Sequence, residues 1–203
     1  MLQKKIYVDV DDVISKTTDT YAGVVEREFG RHVRFEDVVT FDLKKSFGLT
    51  DNEFHYFFDL VHQPEVLLNY EPVEGAVQGL AAWAGQGHRI EIVTGRPSST
   101  REPTLEWLDR HGVPFDSFTM VDKYNRAAND PTIAISQAEF ATRRYDLAVE
   151  DSYDMAVFLA DHMDVPVLLY HRPWNARGAG HEKIKRVMSW EEITRTGADP
   201  APN

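Results

Sequence analysis

Tyr7-Val8-Asp9-Val10-Asp11-Asp12-Val13 is a short apolar strand that runs into three carboxylates within four positions. Like charges crowded this closely repel, and they persist at a strand end where a cation neutralises them; hard oxygen ligands of this kind suit Mg2+. Alone, the stretch reads equally well as a solvated acidic turn. What settles its reading is the chain that follows.

Four segments of β-branched or apolar residues end in polar groups: Ile6 to Asp9, Ile90 to Thr94, Phe118 to Lys123 and Leu147 to Asp151. A fifth, Val165 to Tyr170, comes after them. Helical patterns separate the strands. Val73, Val77, Leu80, Ala81 and Ala84 recur at helical spacing before Gly87, and a run from about Thr100 to His111 opens with the capping-box pattern Ser99-x-x-Glu102. Strands alternating with helices predict an α/β fold, a Rossmann-like parallel sheet with helices on both faces. Ligands of such sheets lie beyond the carboxyl ends of the strands, so the four polar ends should meet in one crevice.

The segment from about Ser15 to Gly75 interrupts the alternation. It contains no strand pattern, and Tyr21, Val24, Val25, Glu28 and Phe29, then Asp51 to His62, read as helices. We therefore expect a helical cap, residues 15–75, inserted after the first strand of a core built from residues 1–14 and 76–195. The tail, 196–203, has two prolines and small residues and is expected to be disordered.

Composition narrows the chemistry. With 33 acidic and 22 basic residues the formal net charge is -11, which opposes binding to a nucleic-acid polymer or an anionic membrane, so a phosphorylated substrate needs a local cation. The absence of cysteine excludes thiolate nucleophiles, thiolate zinc sites and disulfides. The first twelve residues do not read as a signal peptide and no long apolar run follows, so a cytoplasmic protein is expected, either monomer or homodimer.

Each later polar end is weak alone. Ile92-Val93-Thr94-Gly95-Arg96 delivers a hydroxyl and a loop amide into what is ordinarily just a turn, and Asp122-Lys123 by default offers a surface lysine. Val149-Glu150-Asp151-Ser152 offers two acids beside a helix N-cap. Their order, acid pair, Thr, Lys, acid pair, each at a strand end, resembles the haloacid dehalogenase superfamily. The resemblance spans roughly residues 5 to 170. Thr94-Gly95-Arg96-Pro97 and Arg172-Pro173-Trp174-Asn175 resemble its deoxyribonucleotidase-like branch.

The resemblance implies an Mg2+-dependent phosphomonoesterase acting on a small-molecule phosphate ester, a nucleoside monophosphate first and a sugar phosphate second. It makes Asp9 the nucleophile that forms an aspartyl-phosphate, and Asp11 the general acid and base. Thr94, Gly95, Arg96 and Lys123 would hold the phosphoryl group. Mg2+ would be held by Asp9, the Asp11 backbone carbonyl and Asp151, with Glu150 acting through water. The 27-residue gap between Lys123 and Glu150 contains Arg143 and Arg144, rival phosphate cations expected on a helix.

Other features read more plainly. His55 and His62, seven apart on a helix, lack a third metal ligand and read as ordinary cap residues. Phe41, Phe47, Phe54, Tyr56, Phe57 and Phe58 read as cap core before base-stacking surface, with Phe41 and Phe47 expected to affect discrimination among esters. Three other functions compete. Haloacid dehalogenation does not use a second carboxylate such as Asp11. A phospho-accepting signalling domain would place its lysine after the accepting acid on a middle strand. A binding module with an idle site is opposed by the full set of catalytic residues.

Overall fold

In the computed structural model, which describes residues 2–178 and 180–198, the five expected strands form and two short ones join them. They are β1 (Lys5–Asp9), β2 (Arg89–Thr94), β3 (Ser117–Asp122), β4 (Ala134–Ser136), β5 (Leu147–Glu150), β6 (Val167–Tyr170) and β7 (Ile184–Val187). All pairings are parallel, in the order β4-β3-β2-β1-β5-β6-β7. β4 and β7 are the edges. The first has three residues and the second, Ile-Lys-Arg-Val, is partly exposed, so neither carries the apolar run of a central strand.

The helices are α1 (Thr17–Phe29), α2 (Leu43–Ser46), α3 (Asp51–Val61), α4 (Pro64–Leu67), α5 (Ala76–Gly85), α6 (Arg101–Arg110), α7 (Gln137–Phe140), α8 (Tyr153–His162) and α9 (Trp190–Ala198). Strand alternation assigns them to two faces. Ile6, Val8, Ile92 and Val149 pack with Leu80 and Trp83 of α5, Trp107 of α6 and Trp190 of α9. Tyr7, Val93, Ala148 and Leu169 pack with Phe140 of α7 and Leu159 of α8. At Gly79 the α5–α9 approach is so close that a Cβ would stand 2.7 Å from the Trp190 ring. No helix among the described residues is long and apolar enough to cross a membrane.

Helices α1 to α4 lie between β1 and α5. The chain leaves and rejoins the sheet at adjacent points: Lys16 N–H donates to the Glu71 carbonyl at 2.8 Å and Val73 N–H to that of Ile14 at 2.9 Å. Phe47, Phe57, Val61, Leu67 and Tyr70 of this segment are buried in one apolar cluster with the sheet. The Trp107 indole N–H of α6 reaches across to the Tyr70 carbonyl at 2.8 Å.

Several local expectations need correction. α5 begins at Ala76 and not at Val73, because Gly75 takes a left-handed conformation with φ 78°. The Ser99–Glu102 capping box does not form: residues 98–100 make a single 3-10 turn, the Thr100 hydroxyl donates to the Pro97 carbonyl at 2.7 Å, and Glu102 pairs with Arg101. Arg143 and Arg144 lie on no helix. Arg143 pairs with buried Glu91, short of the carboxyl edge of the sheet, and Arg144 is exposed, so neither stands with the polar strand ends. Thr196 to Ala198, expected in a disordered tail, complete α9, with the Gly197 carbonyl accepting from Lys4 at 2.7 Å; residues 199–203 lie outside the described residues.

Phe47, read as cap core, is 1% exposed with its ring 5.6 Å from that of Phe57, and it does not line the cavity as a residue discriminating among esters would. Phe47→Ala should therefore destabilise the protein by about 3–5 kcal/mol, while Phe41→Ala, at a side chain 48% exposed, should cost under about 1 kcal/mol. Thermal denaturation of both variants decides this, and equal losses would contradict the assignment of Phe47 to the core.

Candidate active site

Parallel register places Asp9, Thr94, Asp122 and Glu150 at the same edge of the sheet, with Lys123 and Asp151 one residue beyond. The Lys123 ammonium donates to Asp9 Oδ1 at 2.8 Å, to the Tyr7 hydroxyl at 3.1 Å and to Glu150 Oε2 at 3.4 Å. The Tyr7 hydroxyl in turn donates to Glu150 Oε2 at 2.6 Å, and Glu150 Oε1 accepts from the amides of Asp151 and Ser152. Both Glu150 oxygens are thus occupied by protein donors. Asp9 Oδ2 takes no hydrogen bond among the described residues.

Oxygens of Asp9, Glu150 and Asp151 lie within 4.8 Å of one another, all three residues buried. Burial, then the Glu150 charge, pushes the Asp9 carboxyl up to about 8 despite Lys123. Burial and the neighbouring carboxylates Glu150, Asp9 and Asp12 raise Asp151 as well. Asp151 has no cationic side chain within ion-pair distance among the described residues. Two hard oxygens in search of positive charge, Asp9 Oδ2 and Asp151 Oδ1, make this cluster fit a divalent cation such as Mg2+.

After β1 the chain folds back on itself, Ile14 and Ser15 N–H both donating to the Val10 carbonyl at 3.0 Å, with Asp12 in the left-handed region at φ 55°. The Asp12 carboxylate accepts from the Thr18 amide at 3.1 Å and hydroxyl at 2.6 Å, satisfying a free N–H in the first turn of α1. Burial raises the Asp12 carboxyl to about 7. Asp11 turns the other way. Its Oδ1 accepts from Arg96 Nη2 at 2.7 Å and from the Thr17 hydroxyl at 2.7 Å, and its Oδ2 from Arg96 Nε at 3.1 Å. Burial would raise Asp11, but the Arg96 charge and these hydrogen bonds outweigh it and hold it below the usual carboxylate range.

The guanidinium of Arg96, 4% exposed, is held by Asp11, Thr104 and Ser15. Thr94 is fully buried, its Oγ1 accepting from the Arg96 amide at 3.1 Å, which leaves its own O–H available. Gly95 is required by crowding: a Cβ there would stand 2.9 Å from Lys123 Cδ. On the other side, Trp174 Nε1–H donates to Asp151 Oδ2 at 2.9 Å, Asn175 to the Asp151 carbonyl at 2.7 Å and Arg172 Nε to the Asp12 carbonyl at 2.8 Å. The Arg-Pro-Trp-Asn turn therefore holds both acidic loops.

A cavity of about 320 Å3 opens over these groups, bounded by Asp9, Asp11, Lys123 and Asp151 on the sheet and by Phe41, Phe58 and His62 on the segment between β1 and α5. His55 is exposed and shares no site with His62. Sequence reasoning missed Tyr7 and Arg126, the latter a further residue lining the cavity, and read His62 as an ordinary cap residue. Alternation was the available signal for Tyr7, which shares a face with Asp9 two residues on.

The raised carboxyls fix the sign of the pH dependence. Between the unfolded pKa of about 3.9 and the folded value near 8, the native state binds the extra proton at Asp9, so stability is present at low pH and falls as pH rises through this window. In EDTA, protein stability should drop between pH 6 and 8, and Asp9→Asn should remove roughly 1 kcal/mol per pH unit of that slope. Denaturant titrations across the range test this; an unchanged slope in the variant would contradict the buried, proton-binding Asp9.

Comparison with known proteins agrees with this geometry. The fold is similar to a "predicted phosphatase" from Clostridium acetobutylicum, with TM-score 0.64 and 16% identity over 97% of this chain and 98% of the other. It is also similar to a D,D-heptose 1,7-bisphosphate phosphatase of B. bronchiseptica, crystallised with magnesium and phosphate, with TM-score 0.57 and 14% identity over 96% and 97% of the two chains. At these identities the likeness is one of fold. In sequence, the chain is 26% identical over 190 residues to "Putative nucleotidase BH1399" of Halalkalibacterium halodurans, covering 94% of this chain and 90% of that one. It is 25% identical over 193 residues to "Putative nucleotidase YqfW" of Bacillus subtilis, covering 94% and 92%. Residues 3–196 match the family described as 5' nucleotidase, deoxy (pyrimidine), cytosolic type C. The chain belongs to that family, a nucleotidase family of haloacid dehalogenase fold, and is a phosphoric monoester hydrolase.

Proposed function

We propose that this hydrolase removes the phosphoryl group from nucleoside monophosphates with the help of Mg2+, through a phosphoryl group carried transiently on Asp9. What supports the reading above all is the free Asp9 Oδ2 at a sheet edge where Lys123 and a buried acidic cluster converge under a partly aromatic cavity. Lys123 orients Asp9 through Oδ1 and supplies a local cation beside it in a chain of net charge -11. The free Thr94 O–H and the Gly95 amide donate to phosphoryl oxygens. Arg96 contributes by gripping Asp11 and not by direct contact.

Asp9, Asp151 and the backbone carbonyl of Asp11 would hold the metal, with Glu150, bonded to Lys123 and Tyr7, behind them. When bound, the metal offsets the negative charge that keeps one anion from attacking another. Asp11 rests as a carboxylate in the grip of Arg96, which is the form needed to deprotonate the water that releases phosphate from Asp9. To protonate the leaving oxygen it must turn from Arg96 and take up a proton. Residues 15–75 act as a cap that covers this chemistry from water, joined to the core by the paired crossings at Ser15 and Pro72. We place the protein in the cytoplasm, as a monomer or homodimer that acts on small esters and not on nucleic-acid polymers, in keeping with its charge.

The test is a panel of nucleoside monophosphates and sugar phosphates assayed with Mg2+ and with EDTA. The nucleotides should be preferred, turnover should vanish in EDTA, and Asp9→Asn should lower kcat by at least about a thousandfold. Turnover of sugar phosphates in preference to every nucleotide would move the substrate to the alternative class, while turnover retained in Asp9→Asn would remove the nucleophile.

A further inference from the structure

Part of the cavity wall has no role in phosphoryl transfer. Phe58 of α3 is flanked there by the His62 ring, 4.3 Å between centroids, and by the Arg126 guanidinium, whose Cζ lies 5.5 Å from the Phe58 centroid. Arg126 is positioned from the core side. Its amide is fixed by Asp122 Oδ1 at 3.0 Å, its Nη1 donates to the Gly95 carbonyl, and its Cζ lies 4.4 Å from the Tyr124 centroid. No carboxylate among the described residues pairs with it, and its Nε and Nη2 have no partner there. This sets it apart from Arg96, whose charge is taken by Asp11.

His62 supplies the opposite polarity. Its Nδ1 lies 2.6 Å from the Phe58 carbonyl, which can only accept, so Nδ1 carries the proton. Nε2 of the neutral ring is then an acceptor, without a partner among the described residues. Burial keeps the ring neutral by lowering its pKa to about 4. Both residues line the cavity that holds Asp9 and Lys123.

We infer that Phe58, His62 and Arg126 form a subsite for a flat ring bearing a hydrogen-bond donor beside an acceptor, as the pairing edge of a nucleobase does. The inference rests on the nucleotide reading above and names the residues that enforce it. A ring nitrogen or carbonyl accepts from Arg126, an N–H donates to His62 Nε2, and the ring lies against the aromatic wall. A pentose phosphate leaves the two protein groups unpaired, and sites built for hydrogen bonds reject such analogues strongly. Because His62 and Phe58 belong to the helical segment and Arg126 to the loop after β3, the subsite exists only when that segment is seated over the sheet.

Arg126→Met and His62→Phe preserve much of the side-chain bulk while deleting the polar atoms. The measurement is kcat/KM for deoxyuridine 5'-monophosphate relative to 2-deoxyribose 5-phosphate, with competitive inhibition by free deoxyuridine as a second readout. Each variant should lower the ratio about tenfold and weaken the inhibition by a similar factor. A wild-type protein that prefers the nucleotide, with ratio and inhibition unchanged in the variants, overturns this subsite alone. A wild type with no such preference overturns the nucleotide reading and the subsite with it. Melting curves identify a misfolded variant, in which case the other decides.

Discussion

The structure depends on confining negative charge at the carboxyl edge of the sheet. Asp9, Glu150 and Asp151 are 4%, 1% and 5% exposed, and a single lysine serves two of them. Buried carboxylates this close are tolerated only if they are paired, hydrogen-bonded or partly protonated. Glu150 is satisfied by Tyr7, Lys123 and two amides, whereas Asp9 and Asp151 each keep an oxygen free and have raised pKa values. Among the described residues these two oxygens lack a partner, and it is there that the cluster fits a divalent cation.

Everything around the edge serves to hold it. Asp12 spends its carboxylate on the first turn of α1, so the loop that carries Asp9 and Asp11 also starts the helical segment. The Arg-Pro-Trp-Asn turn binds Asp12 through Arg172 and Asp151 through Trp174, and the Trp174 ring meets Phe35 and Phe41 edge-on at 5.5 and 6.1 Å. One indole thus touches both a buried carboxylate of the cluster and the segment that bounds the cavity. Arg96 likewise joins Asp11 to Ser15 and Thr104 and lies over the Tyr70 ring at 5.2 Å. The segment and the carboxylates are tied together by these shared contacts.

The parallel sheet and the meeting of its four polar ends were legible because parallel strands buried on both faces leave long apolar runs, and their ends are fixed by register. The edge strands were not, since Lys185 and Arg186 of β7 interrupt any such run. Alternation within β1 held the position of Tyr7, but its bond to Glu150 spans 143 residues and no local pattern encodes that. The same limit applies to Trp174, noticed as an odd turn and yet inexplicable without Asp151. Phe41 and Phe47 look alike in sequence and differ completely in place, because the short α2 between them turns one to the cavity and the other to the core.

The central claim is that Asp9 itself receives the phosphoryl group, and trapping that species tests it most directly. Protein mixed with Mg2+ and a radiolabelled nucleoside monophosphate, quenched in acid within a single turnover and digested, should carry the label on the peptide that contains Asp9, in a form labile to base. Turnover that leaves no label on the protein, or label on a peptide lacking Asp9, would contradict the account.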